Sequence, residues 1–258
     1  MMMRSKNLVL ILGIGFVLSV SGCATDNSGV VDTRKAEAKK DLGLSYVGQG
    51  NFQSGLKELV EAEALDPQNA EIQNALGYTY QSVREYDKAV THYKKALKIK
   101  PDYAAAQNNL GTVYIRSGES DLALAVLTKA AADETYLNRH RAYNNIGLIY
   151  YDKRQYRQAI GYYQKAIDLR PRFSPAYDNI GLAYERLQEW DRAIEAYQKS
   201  IEFSPEFPLS YFHLGRLFLR LNRHQEAADA LLKAIEKDQG GQLSERAQEL
   251  LNQIRTPE

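Results

Sequence analysis

Six glycines, Gly43, Gly77, Gly111, Gly147, Gly181 and Gly215, recur at a nearly constant interval, with four spacings of 34 residues and one of 36. Three positions after each comes an aromatic ring: Tyr46, Tyr80, Tyr114, Tyr150, Tyr184 and Phe218. Small and aromatic residues held in fixed phase over such a period are the signature of a helical solenoid. In that architecture a pair of helices buries its apolar face only against neighbouring pairs. The chain is thereby confined to an all-α array that offers an extended surface rather than a closed catalytic pocket.

Setting each glycine at position 8 defines six units, 36–69, 70–103, 104–139, 140–173, 174–207 and 208–241. Position 7 is Leu42, Leu76, Leu110, Ile146, Ile180 and Leu214, and position 20 is small throughout, from Gly55 to Ala227. Position 24 is Leu59, Tyr93, Leu127, Tyr163, Tyr197 and Leu231. Leu76 and Tyr80 lie four apart on one face of a first helix, and Ala89, Tyr93 and Ala96 form the inward stripe of a second. A mid-helix glycine costs about 1 kcal/mol relative to alanine. Its recurrence predicts a close approach at Gly77 and Ala89, with Tyr80 and Tyr93 filling the space between units.

Proline follows the second helix in four units, as Asp66-Pro67, Lys100-Pro101, Arg170-Pro171 and Ser204-Pro205. It removes a backbone donor and pushes its predecessor out of helical geometry, so these are helix ends. Unit three lacks the proline and has two extra residues within 133–139, which predicts a longer helix or an altered turn. After Gly240-Gly241, Leu243, Ala247, Leu250 and Ile254 recur at helical spacing, with Glu245, Arg246 and Glu249 opposite. Residues 242–258 are thus expected to form a capping helix and tail over the last unit.

These columns resemble the tetratricopeptide repeat, which implies a right-handed superhelix whose first helices line a concave inner wall. In that family, positions 2, 5, 6, 9, 12 and 13 commonly face the wall. Position 5 here is Lys40, Asn74, Asn108, Asn144, Asp178 and Phe212; position 6 is Asp41, Ala75, Asn109, Asn145, Asn179 and His213. The Asn-Asn strings resemble repeats in which asparagines hold a ligand backbone, since an amide both donates and accepts. Asparagine could equally bond to neighbouring helices or water. The resemblance does not extend to the carboxylate clamp of chaperone-binding repeats: Arg116 and Arg141 are candidate basic partners, but the full set is absent. Leu209, Phe212 and Leu219 form either an apolar anchor in the last unit or a surface buried by the capping helix. Leu44 and Val47 offer a second candidate anchor in the first unit.

The chain opens with Arg4 and Lys6, followed by an apolar run from Leu8 to Val20 and then Ser21-Gly22-Cys23. This resembles a bacterial lipoprotein signal, 1–22, whose removal leaves Cys23 as the lipidated first residue. Ala24 resembles an outer-membrane sorting signal. Residues 23–35 read as the lipidated cysteine and a flexible polar tether, the twelve residues after the cysteine reaching about 40 Å at full extension. Cys23 is the single cysteine, so no internal disulfide is available.

Beyond residue 22 the chain carries 31 basic and 32 acidic side chains, with no lasting basic block, which argues against nucleic acid. His92, His140, His213 and His224 show no metal-ligand spacing, and no nucleophile constellation or phosphate-cradling glycine cluster appears. No catalytic residue, metal or cofactor other than lipid is expected.

Lipoprotein signal, tether, six repeats and terminal helix together resemble the type IV pilus pilotin family. That resemblance implies a monomeric, non-catalytic adaptor on the periplasmic face of the outer membrane that binds secretin subunits. The candidate protein-binding groove, read from the repeat positions above, is Asn74, Asn108, Asn109, Asn144, Asn145, Asp178, Asn179, Arg116 and Arg141. A scaffold recruiting peptidoglycan enzymes or other envelope-assembly proteins is the alternative.

Overall fold

The structure, a computed structural model, describes residues 28–255, with side chains from 32 to 254. The signal 1–22, Cys23 and the first part of the tether lie outside the described residues, as do 256–258. Thirteen helices make up the described chain. They pair as α1 (Ser28–Gly48) with α2 (Phe52–Leu65), α3 (Ala70–Ser82) with α4 (Tyr86–Ile99), and α5 (Ala104–Arg116) with α6 (Ser120–Ala132). The series continues with α7 (Arg139–Asp152) and α8 (Tyr156–Leu169), α9 (Ser174–Arg186) and α10 (Trp190–Phe203), and α11 (Pro208–Arg220) and α12 (His224–Asp238). The last helix is α13 (Gln242–Arg255).

Within each unit the first helix packs on the second, and the second packs on the first helix of the next unit. The backbones of successive first helices also approach one another, from α1 and α3 through to α9 and α11, whereas those of successive second helices stand farther apart, α2 and α4 being bridged by the long side chains of Glu63 and Lys95 at 3.1 Å. Elements that crowd together lie on the inside of a curve. The first helices therefore form the concave wall.

The phased glycine accounts for the tight pairing. A Cβ on Gly77 would lie 2.6 Å from the ring of Tyr93, and one on Gly181 would lie 2.5 Å from that of Tyr197. The equivalent contacts join Gly43 to Leu59, Gly111 to Leu127, Gly147 to Tyr163 and Gly215 to Leu231. The glycine thus receives the position-24 side chain of its own unit. Tyr93 fills space inside its helix pair and also joins the buried cluster shared with the next unit, while Tyr80 is half-buried between the clusters on either side.

Each first helix ends the same way. Gly50, Arg84, Gly118, Arg154, Gln188 and Asn222, all at position 15, have positive φ. The N–H of the next residue donates back to the carbonyl of the phased aromatic, as in Glu85 to Tyr80 and Gln155 to Tyr150. This left-handed stop satisfies carbonyls that the helix end leaves unpaired. Only two of the six residues are glycine, so the composition at this column did not reveal it.

The proline boundaries hold: α2, α4, α8 and α10 each end two residues before a proline. In unit three α6 is not lengthened. The two extra residues lie in the turn 133–138, where Asp133 Oδ1 accepts from the Thr135 N–H at 2.9 Å.

One expectation is corrected at the N-terminus. Residues 28–35, assigned to the tether, are helical and continue α1 outward from the packed segment. Asp32, Thr33, Arg34 and Lys35 are exposed, so its described side chains form no buried stripe. Extending a helix that tertiary packing has already nucleated adds one hydrogen bond per residue fixed.

At the other end, α12 turns at Gln239 and Gly240, both with positive φ. Asp238 Oδ2 then accepts from the Ser244 N–H at 2.8 Å to start α13. α13 covers α11 and α12, burying Ala247 and Leu251 against Phe212, Leu231 and Ala234. Leu243, Leu250 and Ile254 pack at its edge, and Glu245, Arg246 and Glu249 face solvent.

Candidate functional site

The first helices bring position 6 of one unit against position 5 of the unit before. Asn109 Nδ2 donates to Asn74 Oδ1 at 3.1 Å. Asn145 Nδ2 lies 3.1 Å from Asn108 Oδ1 and 3.3 Å from Thr112 Oγ1, and Asn179 Nδ2 donates to Asn144 Oδ1 at 3.0 Å. One unit further, His213 Nδ1 sits 3.1 and 3.0 Å from the two carboxylate oxygens of Asp178. Four rungs thus join units two to six along the concave wall.

Of the two sequence readings of the asparagines, bonding to neighbouring helices is the one observed. Asn108, Asn144 and Asp178 are buried, and their first role is to join repeats. Each amide–amide rung uses one hydrogen of the donor and one lone pair of the acceptor. The remaining donors and acceptors, on half-buried Asn109, Asn145 and Asn179, are what the wall can offer a ligand.

The ladder stops at unit one, where position 6 of the next unit is Ala75. Lys40 instead reaches across to Glu71 at 2.7 Å and back to Glu37 at 2.6 Å. Burial works against its charge, but these two hydrogen-bonded carboxylates outweigh it and hold the ammonium above the usual lysine range. Lys40, Leu44, Asn74, Tyr103, Asn109 and Arg141 line a hollow of about 350 Å³ over units one to four. Burial raises the Tyr103 phenol, which stays neutral and available as a hydrogen-bonding edge.

A second hollow, of about 370 Å³, opens over units four to six between α7, α9 and α11. Its lining is Tyr151, Leu182, Glu185, Arg186, Arg216 and Arg220. Sequence reasoning missed these residues because it followed columns 5 and 6. The signal was present in columns 9 and 13, where Arg216, Arg186 and Arg220 stand.

Among the other predicted residues, Arg141 belongs to the first hollow, whereas Arg116 does not: it lies over the Tyr86 ring at 5.7 Å. Leu44 is exposed and lines the first hollow. Val47 is corrected: it is buried, packed where a Cβ on Gly55 would go. Phe212 is also corrected, being 3% exposed beneath α13, with Leu209 and Leu219 half-buried in the same cluster. The capping helix is the better of the two readings for this surface. Cys23 lies outside the described residues.

Among the described residues no group of three or more histidine, cysteine or acidic side chains is placed to hold a metal ion. No described helix is long and apolar enough to cross a membrane.

Sequence-family models described as "TPR repeat" or "Tetratricopeptide repeat" match residues 69–100, 85–118, 140–173 and 179–242. The fold is similar to that of pilF from Pseudomonas aeruginosa, with 23% identity and a TM-score of 0.71 over 85% of this chain and 99% of that one. It is similar also to PilW, described as a widely conserved type IV pilus biogenesis factor, with 21% identity and a TM-score of 0.74 over 83% of this chain and 98% of that one. A structure of MamA is 30% identical, with a TM-score of 0.52 over 64% of this chain and 95% of that one. No curated protein matches the sequence.

Proposed function

Because this chain belongs to the tetratricopeptide-repeat family, we propose that it is a non-catalytic adaptor that binds a partner segment along its inner wall, acting as a lipid-anchored factor in type IV pilus biogenesis. The observation that carries the binding role is the unbroken ladder from Asn74 to His213, which joins five units into one polar surface. Amide donors and acceptors spaced along such a surface suit the backbone of an extended polypeptide. The pilus assignment is supported by the likeness in fold to pilF and PilW, which spans nearly their whole length.

In this reading Cys23 carries the acyl chains, and the protein sits on the periplasmic face of the outer membrane. Two or more acyl chains anchor far more firmly than one. Anchoring confines the search for a partner to one surface and raises its effective concentration. The partner proposed is the secretin subunit, with the adaptor aiding its localisation or multimerisation.

The deciding experiment is crosslinking in cells, with secretin multimers measured in parallel. Wild-type protein is expected to capture secretin, and the combined Asn109→Ala, Asn145→Ala and Asn179→Ala variant to capture little while remaining folded. Normal multimers in a deletion strain would remove the secretin role. Full capture by the folded triple variant would remove the ladder as the contact surface. Cys23→Ser should release the protein from the membrane fraction, and continued membrane attachment would reject the lipid anchor.

A further inference from the structure

The second hollow concentrates positive charge beside a ladder built mainly from amides. Arg186, Arg216 and Arg220 surround it, with Glu185 as the single acid in its lining. Glu185 is buried and already engaged, accepting from Arg216 Nη2 at 3.0 Å and from the Tyr197 hydroxyl. The lining therefore keeps a net charge of two positive units.

The other two guanidinium groups are held without an acid. Arg186 donates through Nε to the Tyr151 hydroxyl at 3.0 Å, which leaves its two terminal nitrogens for another acceptor. Arg220 lies over the Trp190 ring at 4.6 Å. Neither has an ion-pair partner among the described residues. A planar guanidinium already fixed by an aromatic neighbour loses little freedom on meeting a carboxylate, which its paired N–H groups match.

The position of the hollow indicates what would carry that carboxylate. The last rung, Asp178 to His213, lies on the same two helices, α9 and α11. Glu185 and Arg186 follow Asp178 by two helical turns, roughly 10 Å along α9. An extended polypeptide crosses that distance in about three residues. Leu182, between rung and hollow, offers an apolar contact for the methylene stem of a side chain.

We propose that this hollow takes the carboxylate of an acidic side chain carried by an extended partner segment lying along the ladder. The proposal rests on the groove-binding reading above and adds to it a chemical preference: the partner segment is acidic where it passes units four to six.

The test uses the full chain in detergent micelles and a fluorescein-labelled, capped octapeptide of alternating serine and glutamate, read by anisotropy. A serine–glutamine counterpart of the same length and inorganic phosphate are the comparison probes. The glutamate peptide is expected to bind at least tenfold more tightly than the glutamine peptide. The double variant Arg186→Gln and Arg220→Gln should erase that preference while melting within a degree or two of wild type. Arg84→Gln with Arg154→Gln makes the same change of charge in two exposed turns and should preserve the preference. Equal binding of both peptides, or an equal loss in the turn variant, overturns the inference while leaving groove binding in place. Phosphate displacing the labelled peptide at the concentration at which unlabelled glutamate peptide does so overturns it in favour of a phosphate site. Absence of peptide binding to every form of the protein overturns the groove reading as well.

Discussion

The ring of Tyr93 occupies the space that a side chain on Gly77 would need, 2.6 Å from where its Cβ would stand. Tyr93 is fully buried there and has no open side into which it could withdraw. Gly77→Ala should therefore destabilise the protein by about 1–3 kcal/mol, because overpacking outweighs the roughly 1 kcal/mol of helix propensity gained. Gly161 lies within α8 with nothing within 4 Å of a built Cβ. Gly161→Ala should instead stabilise by about 0.5–1 kcal/mol. Denaturant melts of the two variants should move in opposite directions; movement in the same direction would show that glycine phase does not set the helix spacing.

Three position-24 tyrosines are fully buried but differ at the hydroxyl. Tyr93 donates to Gln81 Oε1 at 2.8 Å and Tyr197 donates to Glu185, whereas the Tyr163 hydroxyl has no partner among the described residues. Burial raises all three phenols well above the ordinary tyrosine value, so each remains a neutral hydroxyl. Tyr163→Phe should be neutral or stabilising, because it removes an unpaired polar atom. Tyr93→Phe should cost about 1 kcal/mol, since it leaves Gln81 without that donor. Equal losses from both in equilibrium unfolding would contradict this assignment.

Two histidines should make stability fall in mild acid. His140 is buried, with Arg170 Nη1 3.4 Å from its Nε2, and burial followed by Arg170 and Arg141 holds its imidazolium below the ordinary 6.5. His92, paired with Gln73 at 2.8 Å, is lowered by burial, which outweighs the opposing pull of Glu63. The unfolded chain therefore takes up protons that the folded chain resists. The contribution of each histidine is complete above its unfolded value and is lost as pH falls through the folded one. The melting temperature should drop between about pH 7.5 and 5.5, where ordinary carboxylates stay charged. His92→Gln with His140→Gln should flatten that drop; an unchanged slope would assign the pH dependence to other groups.

The terminal helix should be required for more than solubility. α13 buries Ala247 and Leu251 and shields Phe212 and Leu231. A chain stopped after Gly241 should lose at least about 3 kcal/mol, given 1.5–3 kcal/mol for each large apolar side chain fully buried. It should also bind a hydrophobic dye that the full chain does not. An unchanged melting temperature would mean that unit six closes the array without the cap.

The columns at positions 7, 8, 20 and 24 were legible because each residue meets a partner in its own unit or the next, at a separation the period repeats. Gly77 with Tyr93 and Gly181 with Tyr197 are such pairs, and the prolines at 67, 101, 171 and 205 act on the helices just before them. The helical extension at 28–35 escaped notice because it buries none of its described side chains and so leaves no stripe to read. The left-handed residue at position 15 was hidden for a different reason: arginine, glutamine and asparagine tolerate that backbone at modest cost, so glycine is not required.

Sequence alone determined the number of units, their phase, the helix pairs and the terminal helix, because these follow from local periodicity and from where small residues must lie. Only the tertiary structure decided that Asn145 bonds to Asn108 of the unit before, that Phe212 and Val47 are buried, and that three arginines meet over the last units. Those outcomes depend on how far each repeat turns relative to the one before. Packing over the whole interface sets that angle, so residues about 35 positions apart meet or miss according to a rotation that no single column of the sequence encodes.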